Sequence, residues 1–366
     1  MNAEAGTRRE LWRQIMFYGT FDRMPVSHWA VWPETMERWL REGFPRGKDQ
    51  HEFFGVPPRW AGVPVNLGLL PDFPEKVLEE TEEYKIVRGA DGVIAQQWKN
   101  RSCIPHYMDF TLKTAADWPL YKDRLQPCIE RIPPDLERRL DRIERMGLPV
   151  VIGTGSLMGW IRNWMGVENM SYLLYDDPDC YADMVNTIAD LVCWSIDEVV
   201  PRMKTPPDLG FGWEDICGKT GPLVSPHLFD RLVAPGYRKI RAKLEHYGVK
   251  LLGIDSDGFV EPLLPNWLES GVNVIFPVEP GTWGATPERV RARFGKELRI
   301  IGGFNKLALE QDRAAIDAEI ERHIPLMREG GFIMEPDHLI TPGTPLENYR
   351  YYLARMQELR LTGDKR

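Results

Sequence analysis

The sequence has few cysteines, and none of them lie at the spacing of a thiolate metal site. The chain of 366 residues contains five, namely Cys103, Cys128, Cys180, Cys193 and Cys217, and no C-x-x-C. An odd and scattered set of thiols argues against a disulfide framework and against a zinc site built from C-x-x-C pairs. Such thiols are typical of a reducing compartment, and we predict a cytoplasmic protein.

Long apolar runs, long basic runs and a dinucleotide fingerprint are also missing. No apolar stretch reaches about 18 residues, so we expect no transmembrane helix, and the first residues lack the apolar core of a signal peptide. The formal net charge is −8 without a long run of Lys or Arg, so we expect neither nucleic acid nor a membrane as partner. The glycines near Gly153 do not match G-x-G-x-x-G, so we expect no nucleotide cofactor.

Apolar runs that end in glycine and polar residues recur along the later part of the chain. The segments of this form are 148–157, 208–216, 249–258, 272–280, 298–305 and 331–340. A segment with the apolar period of a helix follows each of them, and this alternation indicates a parallel sheet. A doubly wound sheet would also place polar residues at strand ends. The number of units without a linker favours a (β/α)₈ TIM barrel, whose active site lies at the carboxyl ends of its strands.

Residues 50–115 interrupt this alternation. They are rich in Pro and Gly, and short β-like pieces at 84–89 and 93–98 flank Asp91-Gly92. Two such pieces around an Asp-Gly pair predict a β-hairpin. We predict that 50–115 is a β-rich insertion that caps a single barrel domain covering residues 1–366.

The stretch 251-LLGIDSDGFVEP-262 begins as a buried strand and ends in acid. Asp255 and Asp257 are two residues apart, so their side chains point to the same side of an extended chain. They should repel each other unless a cation, a shared proton or a ligand intervenes. We predict catalytic roles for both, and for Glu279 and His338 at later strand ends. Asp255, Asp257 and His338 are candidate ligands of a divalent metal, or a general acid and base; helix capping and structural hydrogen bonds are the alternatives.

Aromatic and polar residues near the strand ends are candidate substrate contacts. The chain has 13 tryptophans, and those at strand ends would stack on a flat ligand. One residue of the Glu214–Asp215 pair is expected to face the pocket, and Cys217 is either a nucleophile or, more commonly, a buried free thiol. The predicted substrate-binding residues are His28, Trp29, Trp32, Trp160, Arg162, Trp213, Glu214 and Asn305.

The chain resembles the uroporphyrinogen decarboxylase superfamily in the order of its motifs. The matching segments are 22-DRMPV-26, 155-GSLMGWIRNWMGVENMSYLLYDDP-178, 220-TGPLVSPHLFDRLVAPGYRKI-240, 255-DSDGFVEPLLPNWLESGVNVIFPVEP-280, 302-GGFNK-306 and 330-GGFIMEPDHLITPGTPLENYRYYL-353. The resemblance implies one (β/α)₈ barrel. It also implies one of two chemistries: decarboxylation of uroporphyrinogen, or methyl transfer to or from a corrinoid or thiol.

The sequence departs from both patterns. Decarboxylases of the superfamily carry an arginine-rich M-R-Q-A-G-R-Y after the first strand, which suits a substrate with eight carboxylates; this chain has 28-HWAVWPETMERW-39 there. Zinc-dependent thiol methyltransferases carry H-x-C-G, and the corresponding residues here are Asp255, Asp257 and Gly258. Their late cysteine falls at or next to His338. Oxygen and nitrogen ligands thus replace a thiolate set.

The resemblance and these departures lead to a ranked set of functions. The first is a corrinoid-linked methyltransferase or O-demethylase that acts on a small methylated substrate, methoxy-aromatic or methylamine-like. Its corrinoid would come on a partner protein, and a divalent metal such as zinc would be a further cofactor. The second is a carboxy-lyase for a porphyrinogen or another acid, and the third is a barrel that binds a tetrapyrrole or corrinoid without chemistry. A homo-oligomer is compatible with the sequence.

Overall fold

The structure is a computed structural model that describes residues 6–361. The strands in this range are β1 (Ala61–Gly62), β2 (Lys76–Glu80), β3 (Tyr84–Arg88), β4 (Ile94–Trp98), β5 (His106–Asp109), β6 (Val150–Gly153), β7 (Leu209–Trp213), β8 (Cys217–Gly218), β9 (Gly221–Pro222), β10 (Leu252–Asp255), β11 (Val274–Phe276), β12 (Arg299–Phe304) and β13 (Phe332–Pro336). The helices are α1 (Arg8–Met16), α2 (Pro33–Arg41), α3 (Gln50–Phe54), α4 (Trp118–Lys122), α5 (Leu136–Arg145), α6 (Gly159–Asp176), α7 (Pro178–Val199), α8 (Pro226–Leu232), α9 (Ala234–His246), α10 (Leu264–Glu269), α11 (Pro280–Trp283), α12 (Pro287–Phe294), α13 (Arg313–Glu329) and α14 (Leu346–Glu358).

The parallel strands follow one another in chain order, and helices separate most of them. The strand β1 pairs with β6, β7 pairs with β10, and β12 pairs with both β11 and β13, all in parallel. This is the α/β alternation of a TIM-type barrel, so the predicted fold class is confirmed. Within the described range, no helix has both the length and the apolar character needed to cross a membrane.

The chain divides into two compact units. Unit 1 contains Met1–Gly62, Asp141–Val151 and Asn273–Arg366, and unit 2 contains Val63–Leu140 and Ile152–Val272. The predicted single domain with a capping insertion at 50–115 stays a prediction.

In unit 2, the parallel pair β7 and β10 positions the residues of interest. Leu252 lies opposite Gly210 and Asp255 lies opposite Trp213. Both strands are apolar and largely buried up to their last residues. The residues that follow β7 and β10 therefore leave the core side by side. An Asp-Pro pair predicts a helix start at 177–178, and α7 begins there: the Asp177 side chain accepts the Cys180 N–H at 3.1 Å.

Unit 2 also contains a four-stranded antiparallel sheet in the order β2-β3-β4-β5. The predicted hairpin is its centre, with Tyr84 opposite Trp98 and Arg88 opposite Ile94. Its turn contains Gly92 at φ 80°, and the Asp91 carboxylate accepts the Val93 N–H. The strands β2 and β5 were not predicted, because every residue of these edge strands is exposed and neither has the alternating pattern that indicates a half-buried strand.

Unit 1 contains the parallel strands β11, β12 and β13. Val274 lies opposite Arg299, and Ile300 lies opposite Phe332. The apolar segment 25-PVSHWAVW-32 predicts a first strand, but it is not a regular strand in the structure: its ladder contact is a parallel bridge between Val31 and Ile340. Prolines at both ends, Pro25 and Pro33, limit the amide groups that could extend the pairing.

Candidate functional site

The ends of β7 and β10 bring three carboxylates together in unit 2. The Glu214 N–H donates to the Asp255 carbonyl at 2.8 Å, and the Asp257 N–H donates to Asp215 Oδ1 at 2.9 Å. One carboxylate oxygen from each of Asp215, Asp255 and Asp257 lies within 4.8 Å of the others, and all three residues are half-buried. We call these three residues the acidic cluster. Asp255 and Asp257 thus lie together as predicted, and Asp215 is the member of the Glu214–Asp215 pair that joins them.

Asp215 has an unusual backbone that its neighbours hold in place. Its φ of 48° lies in the left-handed region that favours glycine. The Asp215 carbonyl accepts a hydrogen bond from the Arg162 guanidinium, and its Oδ1 accepts the Asp257 N–H. Such a conformation costs on the order of 1–3 kcal/mol and tends to occur where function fixes a side chain. The geometry turns the Asp215 carboxylate toward the other two acids.

Glu214 fixes the start of α6. It is fully buried, and its two oxygens accept hydrogen bonds from three N–H groups and two hydroxyls. The donors are the backbone of Leu157, Met158 and Gly159 and the side chains of Ser156 and Tyr237. Burial raises the pKa of Glu214, and these bonds oppose that shift. A Cβ on Gly159 would lie 2.1 Å from the Glu214 carbonyl, so glycine is required there. These contacts position α6; the predicted contact with substrate stays a prediction.

A cavity of about 640 Å³ adjoins the acidic cluster through Asp215. Its aromatic walls are Tyr107, Phe110 and Trp213, and Arg162 is among its polar lining residues. The Arg162 guanidinium lies over the Trp213 ring, 5.2 Å from the centroid. Two predicted substrate-binding residues, Arg162 and Trp213, therefore line one cavity. Trp160, close to Arg162 in the sequence, packs on Trp164 with ring centroids 5.9 Å apart. The substrate contact predicted for Trp160 stays a prediction.

Unit 1 contains a second group of strand-end charges. Lys306 follows β12, and its Nζ lies 3.3 Å from Glu279 Oε1 and 3.2 Å from Asp337 Oδ1. The side chains are nearly closed to solvent, with exposed fractions of 10% for Lys306, 5% for Glu279 and 0% for Asp337. Burial raises the pKa of Asp337 to about 6, although the Lys306 ammonium opposes the shift. We call these three residues the lysine cluster. The catalytic role predicted for Glu279 stays a prediction.

His338 follows Asp337 in unit 1 and lies among tryptophans. Its ring centroid is 6.0 Å from that of Trp29 and 6.3 Å from that of Trp32, and the Trp32 ring is nearly parallel to it, at 16°. These three predicted site residues therefore lie together. In unit 2, Asp215 is the third acid beside Asp255 and Asp257. The prediction that His338 shares a metal with those two acids stays a prediction.

His28 and Asn305, also in unit 1, make internal contacts. His28 is 2% exposed, and its ring nitrogens lie 2.8 Å from the Tyr349 hydroxyl and 2.7 Å from Gln50 Oε1. Burial lowers the pKa of His28 to about 4, so the ring is neutral near pH 7. Asn305 Oδ1 accepts the Leu307 N–H at 3.0 Å and caps the following turn. These contacts favour the structural alternative, and the predicted substrate contacts remain predictions.

Two kinds of site residue were not predicted from the sequence. Lys306 is visible in 302-GGFNK-306 as a lysine directly after a strand, and that position was the available signal. Tyr107 and Phe110 belong to or follow β5, which has no apolar periodicity. Nothing in the sequence indicates that the antiparallel sheet contributes to the cavity wall.

The acidic cluster suits a divalent cation that prefers oxygen ligands. Three carboxylates this close offer the donor set that Mg²⁺, Mn²⁺ or Ca²⁺ prefers, and zinc also accepts carboxylate ligands. Cys217 is the cysteine near the cluster in sequence, and burial raises the pKa of its thiol to about 12. Burial therefore favours the protonated thiol of Cys217, which argues against an activated nucleophile. The residues fit a metal held by oxygen, not a cysteine-rich zinc centre.

Comparisons with known proteins agree with this architecture. Residues 156–359 match the family model described as "Uroporphyrinogen decarboxylase (URO-D)". A uroporphyrinogen decarboxylase from Campylobacter lari is 24% identical over 119 residues, which are 32% of this chain and 32% of that protein. The chain thus aligns with about a third of that relative's length. A methyltransferase from Methanosarcina mazei matches in structure with a TM-score of 0.60 at 16% identity, over 96% of this chain and 99% of the other.

The structural likeness shows the fold alone, because the identity is low. The family match shows more, because it covers over half of the chain and includes β7, β10 and the acidic cluster. The chain belongs to the uroporphyrinogen decarboxylase (URO-D) family.

Proposed function

We propose that the protein is a methyltransferase that removes a methyl group from a small methylated, methoxy-aromatic substrate and passes it to a corrinoid on a partner protein. The observation that carries the proposal is the acidic cluster beside a cavity with three aromatic walls. A cavity of about 640 Å³ is within the range of small-molecule sites. Tyr107, Phe110 and Trp213 would contact an aromatic ring.

The chemistry requires a group that stabilises the departing oxygen. The corrinoid, when bound, would supply the nucleophile that takes the methyl group. When the bond between the methyl carbon and the ether oxygen breaks, the electron pair stays on oxygen, which then needs a proton or a Lewis acid. The acidic cluster could deliver a proton, or hold a divalent cation at that oxygen. Glu214 would keep α6, and with it Arg162, in register with the cluster.

Exposed apolar side chains beside the cavity support a partner protein. Ile104 is 81% exposed, Val167 47% and Tyr107 44%, and all three line the cavity. Apolar groups gathered in this way around a cavity are typical of a binding surface. The corrinoid protein would contact this rim while its cofactor reaches the cavity.

Decarboxylation is the second candidate, because the family model and the C. lari relative carry that name. Among the described residues that line the cavity, Arg162 is the one Lys or Arg. A substrate with eight carboxylates needs more counter-charge than this, so a less charged acid is the better candidate for a lyase.

Product analysis distinguishes these functions. The purified protein would be incubated with methoxylated aromatics and reduced cobalamin as methyl acceptor, and separately with uroporphyrinogen. We expect methylcobalamin and the demethylated phenol, with activity lost in Asp257→Asn and kept in Asp230→Asn, an exposed acid on α8. Release of CO₂ without methyl transfer would favour the lyase. Tight corrinoid binding without turnover, unchanged in Asp255→Ala, would favour a binding protein.

A further inference from the structure

Arg162 is the residue in the cavity whose charge is least accounted for. It is half-buried, and its Nε and Nη2 donate to Asn163 Oδ1 at 3.2 and 3.0 Å. Its Nη1 donates to the Asp215 carbonyl. Both acceptors are neutral oxygens. Within residues 6–361, no carboxylate forms an ion pair with Arg162.

Two other buried arginines in the molecule are compensated more fully. Arg59 lies 2.5 Å from the Glu335 carboxylate, with 7% of its side chain exposed. Arg131 donates to four backbone carbonyls and is 2% exposed. Arg162 uses three of its five N–H groups on neutral oxygens. A guanidinium in a cavity wall with N–H groups to spare matches the planar geometry of a carboxylate.

We propose that Arg162 binds an anionic group of the substrate and makes the cavity selective for a small aromatic ligand with one carboxylate. The proposal deepens the function above and rests on it for the identity of the reacting group. The Trp213 ring beneath the guanidinium holds it in place. The carboxylate would lie against Arg162, because Asp215 on the same wall repels it.

The acids of the cavity wall do not compensate Arg162 in the same way. Glu168 also lines the cavity, but it is exposed and accepts a hydrogen bond from Tyr172. The Asp215 carboxylate accepts the Asp257 N–H, and it is the Asp215 carbonyl that contacts Arg162. The anion-binding role therefore falls to Arg162.

Binding of matched probes tests the proposal without any turnover. Titration calorimetry would compare 4-methoxybenzoate with 4-methoxybenzamide, which has nearly the same shape and no charge. We expect the wild type to bind the benzoate about 10–100-fold more tightly, the range for a hydrogen-bonded charge. Arg162→Met should bind both probes equally and weakly. Arg162→Lys should keep part of the preference, because it retains the charge and loses the planar fork.

Controls make each outcome decisive. Arg138→Met on α5 removes a guanidinium whose side chain is 83% exposed, and its affinities should match the wild type. Circular dichroism confirms folding, and Arg162→Lys serves if Arg162→Met does not fold. Equal wild-type affinity for benzoate and benzamide, or a preference that survives in Arg162→Met, would overturn the proposal. Benzoate binding that depends on Arg162 without methyl transfer would instead refute only the proposed function. Methyl transfer from neutral methoxybenzene that ignores Arg162 would refute only this inference.

Discussion

The two units place acids at their strand ends in different electrostatic surroundings. In unit 1, Glu279 and Asp337 are nearly closed to solvent and share the Lys306 ammonium. In unit 2, the acidic cluster is half-buried, with its carboxylates within 4.8 Å of one another. A buried acid needs a cation supplied by the protein itself, because desolvation is otherwise too costly. An acid group that solvent still reaches can receive a cation or a ligand from outside. The first arrangement suits a scaffold, and the second suits a site that takes up a cation or a ligand.

The largest expected effect on stability comes from removing the cation of the lysine cluster. Lys306→Met leaves two buried carboxylates without their ammonium partner, so the free energy of unfolding should fall by about 3–5 kcal/mol. Chemical denaturation measures this loss. Lys239→Met, which removes an exposed pair with Asp190, should cost less than about 1 kcal/mol. Similar costs for the two variants would mean that the lysine cluster is not a stabilising centre.

Glu214→Gln should destabilise unit 2 by about 2–3 kcal/mol. The amide keeps one oxygen that accepts hydrogen bonds. Its NH₂ group, however, would face N–H donors whose hydrogen bonds the wild-type carboxylate accepts. The thermal midpoint should therefore drop, whereas Glu168→Gln at an exposed position should leave it nearly unchanged. A stable Glu214→Gln protein would contradict the positioning role given to this residue.

His323 provides a cation in unit 1 whose charge depends on pH. Its nitrogens lie 2.6 Å from Glu288 Oε1 and 3.2 Å from Glu319 Oε1. Burial alone would lower the pKa of His323, but these two carboxylates outweigh it and raise the pKa. The resulting stability is therefore fully present below the unfolded-state pKa of about 6.5 and is lost as pH rises through the folded-state value.

The corresponding variant is His323→Gln. It should lower the free energy of unfolding by roughly 1–2 kcal/mol at pH 6 and by clearly less at pH 9. Thermal melts of both proteins at the two pH values measure the difference. A cost that is the same at both would show that the imidazole contributes by packing alone.

Asp257→Asn should have the smallest effect on stability, which sharpens the contrast with Lys306→Met. Removing one of three neighbouring charges relieves repulsion, so the free energy of unfolding should stay within about 0.5 kcal/mol of the wild-type value or rise. Added Mn²⁺ should stabilise the wild type by about 2.7 kcal/mol at 100 times its Kd. That stabilisation should be lost in Asp257→Asn. A variant that unfolds readily would place Asp257 in the scaffold.

Much of the fold could be predicted from the sequence, because buried strands and amphipathic helices leave a periodic pattern. β10 ends at Asp255 where its apolar run ends, and α7 begins at the Asp-Pro pair. The exposed strands β2 and β5 leave no such pattern. The candidate acids were predicted because they directly follow apolar strands. Asp215 joins the acidic cluster through a left-handed backbone, a tertiary feature that the sequence of a non-glycine residue does not signal. Lys306 was missed because its two acid partners lie about 30 residues away on either side.

The most direct test of the account is the single-turnover rate of methyl transfer in Asp257→Asn relative to wild type. Both proteins would be checked for folding and mixed with a methoxylated aromatic and reduced cobalamin, and methylcobalamin formation would be followed by absorbance. Loss of proton donation or of the metal should slow the variant by at least about 100-fold at unchanged stability. Equal rates in the two proteins, or a wild type that forms no methylcobalamin from any methylated aromatic, would contradict the claim that the acidic cluster performs methyl transfer.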